Sequence, residues 1–249
     1  MNKRIWYILA ASLVLLVGVG GFILTNAHTI STSPKETLSD HRTTKPIQGS
    51  TKKSQLENKK AYSVPKADKS SANYVASGHA SKIGEYTISS QGNKAVLAAK
   101  SNVTQTISNG DLTYTVSKVT KYNNDPKTDE AVEMARLALN TRDIDGAYTT
   151  LTIKYTIENT GSKNLQTDGV STVAYTDGSI VSPLNGLDND ASLAQTTLAA
   201  GDKKTTFAVV LVPKALAATV KSIQIEFASI ANSSHQKVQK ASDGLTVNF

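Results

Sequence analysis

Tyr148-Thr149-Thr150-Leu151-Thr152-Ile153-Lys154-Tyr155-Thr156-Ile157-Glu158-Asn159-Thr160-Gly161 is the stretch that decides the fold class. Leu151, Ile153, Tyr155 and Ile157 alternate with Thr150, Thr152, Lys154, Thr156 and Glu158. A period of two turns into one apolar and one polar face only on an extended chain. The spacing predicts a half-buried strand, with one face in a core and one in water. Asn159-Thr160-Gly161 supplies a turn to close it.

The same pattern continues on both sides. Upstream, Val103, Gln105 and Ile107 alternate with Thr104 and Thr106 as far as Asn109-Gly110, and Leu112-Thr113-Tyr114-Thr115-Val116 follows. Asn-Gly between two alternating runs predicts a hairpin. Residues 84–100 are ambiguous: Tyr86-Thr87-Ile88 reads as a strand, and Ala95–Ala99 as a short helix or a strand. Downstream, Val170–Tyr175 reads as a strand ended by Asp177-Gly178. Leu198-Ala199-Ala200-Gly201-Asp202 reads as a turn into Thr205–Val212. The unbroken apolar run Phe207–Val212 predicts burial on both faces, stopped by Pro213. Ile223, Ile225 and Phe227 alternate again, and Leu245, Val247 and Phe249 form a closing strand. About seven strands without alternating helices predict an all-β fold, an antiparallel sandwich rather than a parallel sheet. One short helical insertion interrupts it, Asp129–Leu139, with Ala131, Met134, Leu137 and Ala138 predicted on one face. Glu130 and Glu133 lie toward its N-terminal end and Arg136 toward its C-terminal end, as the helix dipole favours.

These motifs resemble a known family. Tyr148–Gly161 is similar to the central strand and turn of a bacterial extracytoplasmic immunoglobulin-like family, a domain of unknown function related in fold to a small secreted mycobacterial immunogen. Leu198–Asp202 with Thr206–Pro213 resembles that family's glycine-centred turn before an apolar strand ending in proline. The resemblance covers residues 102–230 or so and rests on structural motifs. It implies an immunoglobulin-like β-sandwich carried behind a low-complexity linker on exported proteins of Gram-positive bacteria. It brings no catalytic residues. The chain departs from the family in carrying the Asp129–Leu139 insertion and in having no cysteine for lipidation.

The N-terminus indicates location. Lys3 and Arg4 precede Ile5–Leu24, an uncharged run that includes Trp6. Such a run is just long enough to cross a bilayer core as a helix. Two cations at its start keep that end cytoplasmic, so the C-terminal bulk is translocated. Two readings stay open. A retained anchor fits the length, which exceeds the roughly 7–15 residues of a signal-peptide core. A cleaved signal fits Thr25-Asn26-Ala27, with small residues before a cut at Ala27, and Gly18, Gly20 and Gly21 near the end of the run. The expected location is the cell membrane, single-pass with the domain outside. The alternative is a secreted protein.

Composition then divides the rest. Residues 28–83 are rich in Ser, Thr and Lys, with only scattered large apolar side chains, and are expected to be a disordered linker. The domain is expected over 84–249, with its core in 102–230. The net charge is +7, but its distribution matters more than its sum. Residues 28–83 hold ten Lys/Arg against four Asp/Glu, while 84–249 hold fifteen against sixteen. A near-neutral domain excludes charge-driven nucleic-acid binding. The basic linker suits anionic cell-wall polymers or lipid headgroups, or is simply a soluble spacer. The absence of cysteine excludes disulfides, thiolate zinc sites and thiol nucleophiles.

Catalytic constellations are weak. His235 has no nucleophile-elbow motif beside it. Asp143 and Asp145 form a carboxylate pair, but Arg142–Gly146 reads better as a polar turn. Asp188-Asn189-Asp190, with Asp177, offers oxygen ligands for calcium without an EF-hand pattern. Tyr122 and Tyr175 are expected near strand ends, where they would be exposed. No cofactor or metal is expected. The expected function is a non-enzymatic cell-envelope protein that presents an immunoglobulin-like binding module to an unidentified protein partner. Its contact surfaces are expected to be the loops at one end and the helix charges Glu130, Glu133 and Arg136. The alternatives are a structural spacer or secreted factor without a dedicated ligand and, third, an exported hydrolase.

Overall fold

Alternating and apolar runs become strands along most of the chain. The computed structural model describes residues 61–194 and 196–249. The expectations for 1–27, including Lys3, Arg4, Ile5, Trp6 and Leu24, and for linker residues 28–60 lie outside the described residues. Among the described residues no helix is long and apolar enough to cross a membrane.

In chain order the elements are α1 (Lys66–Lys69), β1 (Tyr86–Ile88), β2 (Asn93–Asn109), β3 (Leu112–Pro126), α2 (Asp129–Ala138), β4 (Tyr148–Asn159), β5 (Leu165–Thr167), β6 (Val170–Ala174) and β7 (Ile180–Val181). They continue with β8 (Leu187–Asn189), β9 (Lys203–Val212), a 3-10 turn at Lys214–Leu216, β10 (Ser222–Phe227), β11 (Ile230–Asn232), β12 (Lys237–Gln239) and β13 (Leu245–Asn248). The fold is all-β. Its strands form a six-stranded sheet β1-β2-β3-β4-β9-β8, a four-stranded sheet β13-β10-β6-β7 and a three-stranded sheet β12-β11-β5, all with antiparallel neighbours. Several of the extra strands, beyond the seven expected, are two- or three-residue pairings too short to show a period.

The predicted hairpin forms, with Asn109 paired to Leu112. Gly110 and Asp111 are therefore the two loop residues, one position later than the Asn-Gly pair suggested. Gly110 has φ 55, a conformation that costs glycine nothing.

The core lies between the large and the four-stranded sheet. Leu112, Tyr114, Leu151, Ile153, Tyr155, Ile157, Val210 and Val212 of the large sheet share one cluster with Val173, Ile223, Ile225, Phe227 and Val247 of the other. The Tyr114 and Phe227 rings stack across this layer with centroids 4.0 Å apart. Asn159 is fully buried, and its amide donates to the carbonyls of Lys163 and Leu198 while its Oδ1 accepts from the Gly161 N–H. The Asn159-Thr160-Gly161 turn is thus stitched to the approach to β9.

Two expectations change. The domain begins before residue 84. Segment 62–83 is laid against β1: Val75 N–H donates to the Tyr86 carbonyl and Tyr86 N–H to the Asn73 carbonyl, each over 2.9 Å. The Tyr86 hydroxyl and Lys94 Nζ both donate to Asp68 Oδ1 at 2.9 Å. Average composition hides these few anchoring side chains. The second change concerns the polar face of β4. Thr150 and Thr152 are buried as well as Leu151 and Ile153, because α2 covers that end of the sheet.

Candidate functional site

The run Phe207–Val212 explains the site. Ala208, Val210 and Val212 fill the main core, so Phe207, Val209 and Leu211 emerge on the outer face of the large sheet. They form a second, small core with Ala135, Leu139, Ile144, Val132 and Tyr148. The predicted burial on both faces is observed, and α2 provides the outer cover.

Helix α2 spans the residues expected, and of the expected inward face Ala131, Met134 and Ala138 turn toward the sheet while Leu137 does not. Ala131 and Ala135 are its buried residues and Leu139 follows them inward, whereas Leu137 is 72% exposed. Small side chains let the helix axis approach the sheet, and a leucine on that face would hold it off. Thr128 is the N-cap, accepting from Ala131 N–H at 3.0 Å and donating to the Gln91 carbonyl at 2.5 Å. Gly92, with φ 94, lies in the β1–β2 turn beneath the Tyr62 ring and beside the Thr128 methyl group. A Cβ at that position would meet the ring at 2.9 Å. The helix start, the β1–β2 turn and the N-terminal segment are therefore joined at one point.

Between α2, residues 78–80 and the sheet a recess of about 110 Å³ remains. Its helix wall is Ala131, Met134, Ala135 and Ala138, and its floor includes Thr120, Asn124, Thr150 and Thr152. Asn93 Nδ2 donates to Asn124 Oδ1, and Asn124 Nδ2 donates to Thr150 Oγ1, each over 3.1 Å. Asn93 is buried and lines the recess, yet its Oδ1 accepts no hydrogen bond. Tyr122 and Tyr148 also line it, and burial raises both phenols, that of Tyr148 to about 12.

Asp188 is the one carboxylate in the lining. Burial, reinforced by the charge of Asp190, pushes it up to about 6. Its neighbours on β8 face other tasks. Asn189 bonds to both the N–H and the carbonyl of Val170. Burial raises Asp190, but donors from Ser192 and Thr206 outweigh this and leave it below the usual range. Of the three residues considered together as calcium ligands, Asn189 and Asp190 are thus committed to different partners and Asp188 stands apart from both. Among the described residues, no group of three His, Asp or Glu side chains is placed to hold a metal ion.

The other sequence candidates are scattered. Glu133 and Arg136 pair with each other at 2.6 Å, and Arg136 Nε also donates to the Ile144 carbonyl. Glu130 sits in the first turn of α2. Asp143 and Asp145 flank buried Ile144 on the exposed loop after α2. His235 occupies a tight exposed turn with φ 60. Tyr175, expected to be exposed, is 5% exposed and donates to the Leu211 carbonyl at 2.7 Å. Tyr122 is half-buried in the recess wall rather than free. Asp188 was visible in sequence only as a calcium candidate. The doubly apolar β9 run was the available sign that something covers the outer face there.

No family model and no curated protein matches this chain. Two solved bacterial structures are similar to it. A functionally unknown protein from Listeria monocytogenes EGD-e is 13% identical, with a TM-score of 0.41 over 62% of this chain and 86% of that one. A conserved hypothetical protein from Bacillus anthracis is also 13% identical, with a TM-score of 0.32 over 57% of this chain and 95% of that one.

Proposed function

We propose that this chain is a non-enzymatic cell-envelope protein of a Gram-positive-type bacterium. It carries an immunoglobulin-like β-sandwich outside the membrane as a binding module, and the recess beneath α2 is its binding face. The recess carries this reading: an apolar helix wall faces a floor of hydroxyl and amide groups, the usual composition of a small-ligand site. The two facing sheets with a shared core support the sandwich, and the charge-free run after Lys3 and Arg4 supports the envelope location.

Filling the recess tests this. Ala138 lines it without being fully buried, so Ala138→Trp blocks the space at small cost to the fold. A small-molecule extract of the native envelope is expected to raise the melting temperature of the full-length protein and to leave Ala138→Trp unchanged. Equal shifts in both proteins, or none in either, would refute the recess as the binding face.

A further inference from the structure

We infer that the recess takes a small organic cation, an ammonium group on a compact apolar body. This rests on the reading of the recess as the binding face and adds the chemistry of its ligand.

The electrostatics are one-sided. No Lys or Arg lines the recess, and Asp188 is its only acidic side chain. Among the described residues nothing donates a hydrogen bond to that carboxylate and no cation pairs with it. A partly buried carboxylate without a partner is costly, and a cationic ligand removes that cost. Burial raises its pKa to about 6, so at neutral pH it is both ionised and unpaired. An anion would meet Asp188 with no counter-charge. A bare metal ion would lack ligands, since no third His, Asp or Glu joins the site.

The remaining lining fits an ammonium better than a neutral donor. Thr120, Thr150 and Thr152 bring hydroxyl oxygens. Tyr122 and Tyr148 bring aromatic rings, whose faces attract cations. The alanines and Met134 of α2 take the hydrocarbon body. Size sets the limit. An apolar cavity of about 150 Å³ holds the six carbons of benzene, so the 110 Å³ here admits about four heavy atoms.

Three probes of four heavy atoms each separate charge from shape: isopropylammonium, 2-propanol and acetate. Each is titrated into the full-length protein in detergent micelles near pH 7.5, and amide NMR shifts give the affinity. The ammonium is expected to bind about tenfold tighter than the alcohol, with the carboxylate weakest. Asp188→Asn is expected to bring the ammonium down to the level of the alcohol while the alcohol is unchanged, which also shows that the variant is folded. Ala138→Trp is expected to exclude all three. Alcohol or carboxylate binding as tight as the ammonium, or an Asp188→Asn variant with undiminished preference for it, would overturn the cation assignment and leave the recess standing. Failure of all three probes to bind the folded wild-type protein would overturn both.

Discussion

Thr128 Oγ1 joins two elements at once: it caps α2 through Ala131 N–H and donates to the carbonyl of Gln91 in the β1–β2 turn. The roof of the recess is thereby fixed to its floor at one end. At the other end, Gly186 N–H donates to the carbonyl of Leu139 at 2.7 Å. The recess is a space held open between two attachments.

Removing the first attachment has a definite cost. Thr128→Ala loses the cap and the bond to Gln91, and is expected to destabilise the domain by about 1–2 kcal/mol. At this size each kcal/mol lowers the melting temperature by roughly 2–4 °C, which thermal unfolding by circular dichroism measures. A change within error would mean that the helix is held by its apolar face alone.

Gly92 sits at the same junction. Gly92→Ala must adopt φ 94 and press a methyl group against the Tyr62 ring and Thr128. The expected loss is about 2 kcal/mol or more. The double variant Gly92→Ala with Tyr62→Ala is expected to recover the part due to contact and not the part due to the backbone. Urea unfolding of the three proteins checks both terms.

Asp188 gives the domain a pH signature of known sign. Its folded pKa of about 6 lies above the unfolded value of 3.8, so the folded state holds its proton more tightly. Its contribution to stability is therefore full at low pH and declines as pH rises from the unfolded value through about 6. Asp188→Asn is expected to be more stable than wild type above pH 6, by on the order of 1 kcal/mol once partial solvent exposure is discounted. The advantage should vanish near pH 4. Differential scanning calorimetry across that range checks it.

Ligand affinity should follow the same proton in the opposite direction. The titratable groups that line the recess with Asp188 are His79, Tyr122 and Tyr148, and the charge of Asp190 acts on it from outside; none belongs to α2. Binding of isopropylammonium is expected to weaken as pH falls below about 6, because protonated Asp188 no longer offers a charge. NMR titration at several pH values reads this directly, and Asp188→Asn should flatten the profile.

The N-terminal boundary is also testable. Brief trypsin treatment is expected to cut at Lys52, Lys53, Lys59 or Lys60 and leave a stable fragment that begins at about residue 61. A fragment beginning after Lys82 would show that the contacts of Asp68 with Tyr86 and Lys94 do not hold the segment in solution.

The parts of the fold legible in sequence were those where one strand carries its own pattern. Leu151–Ile157 needs no distant information to show a buried face, and Asn159 with Gly161 marks its end. Segment 62–83 is held by a few isolated backbone bonds and by single side chains meeting β1 and β2, which leave no periodic trace. The extent of α2 and most of its inward face, Ala131, Met134 and Ala138, were readable from its charges and apolar content. Leu137 was the exception: it is the larger apolar residue, yet it lies exposed while Ala131 and Ala135 are buried. The recess was the least visible feature, because Asn93, Thr120, Thr150 and Asp188 converge from four strands far apart in the chain. Only Phe207–Val212 signalled that the outer face of the sheet needed a cover.

The most direct test of the recess as the binding face is a map of amide NMR shifts on the full-length protein during titration with the envelope extract. The account predicts changes concentrated at Thr120, Thr150, Thr152, Asp188 and Ala131–Leu139. Changes confined to turns outside the recess, such as Asp177-Gly178 and Asn232–Gln236, with the recess unmoved, would contradict it.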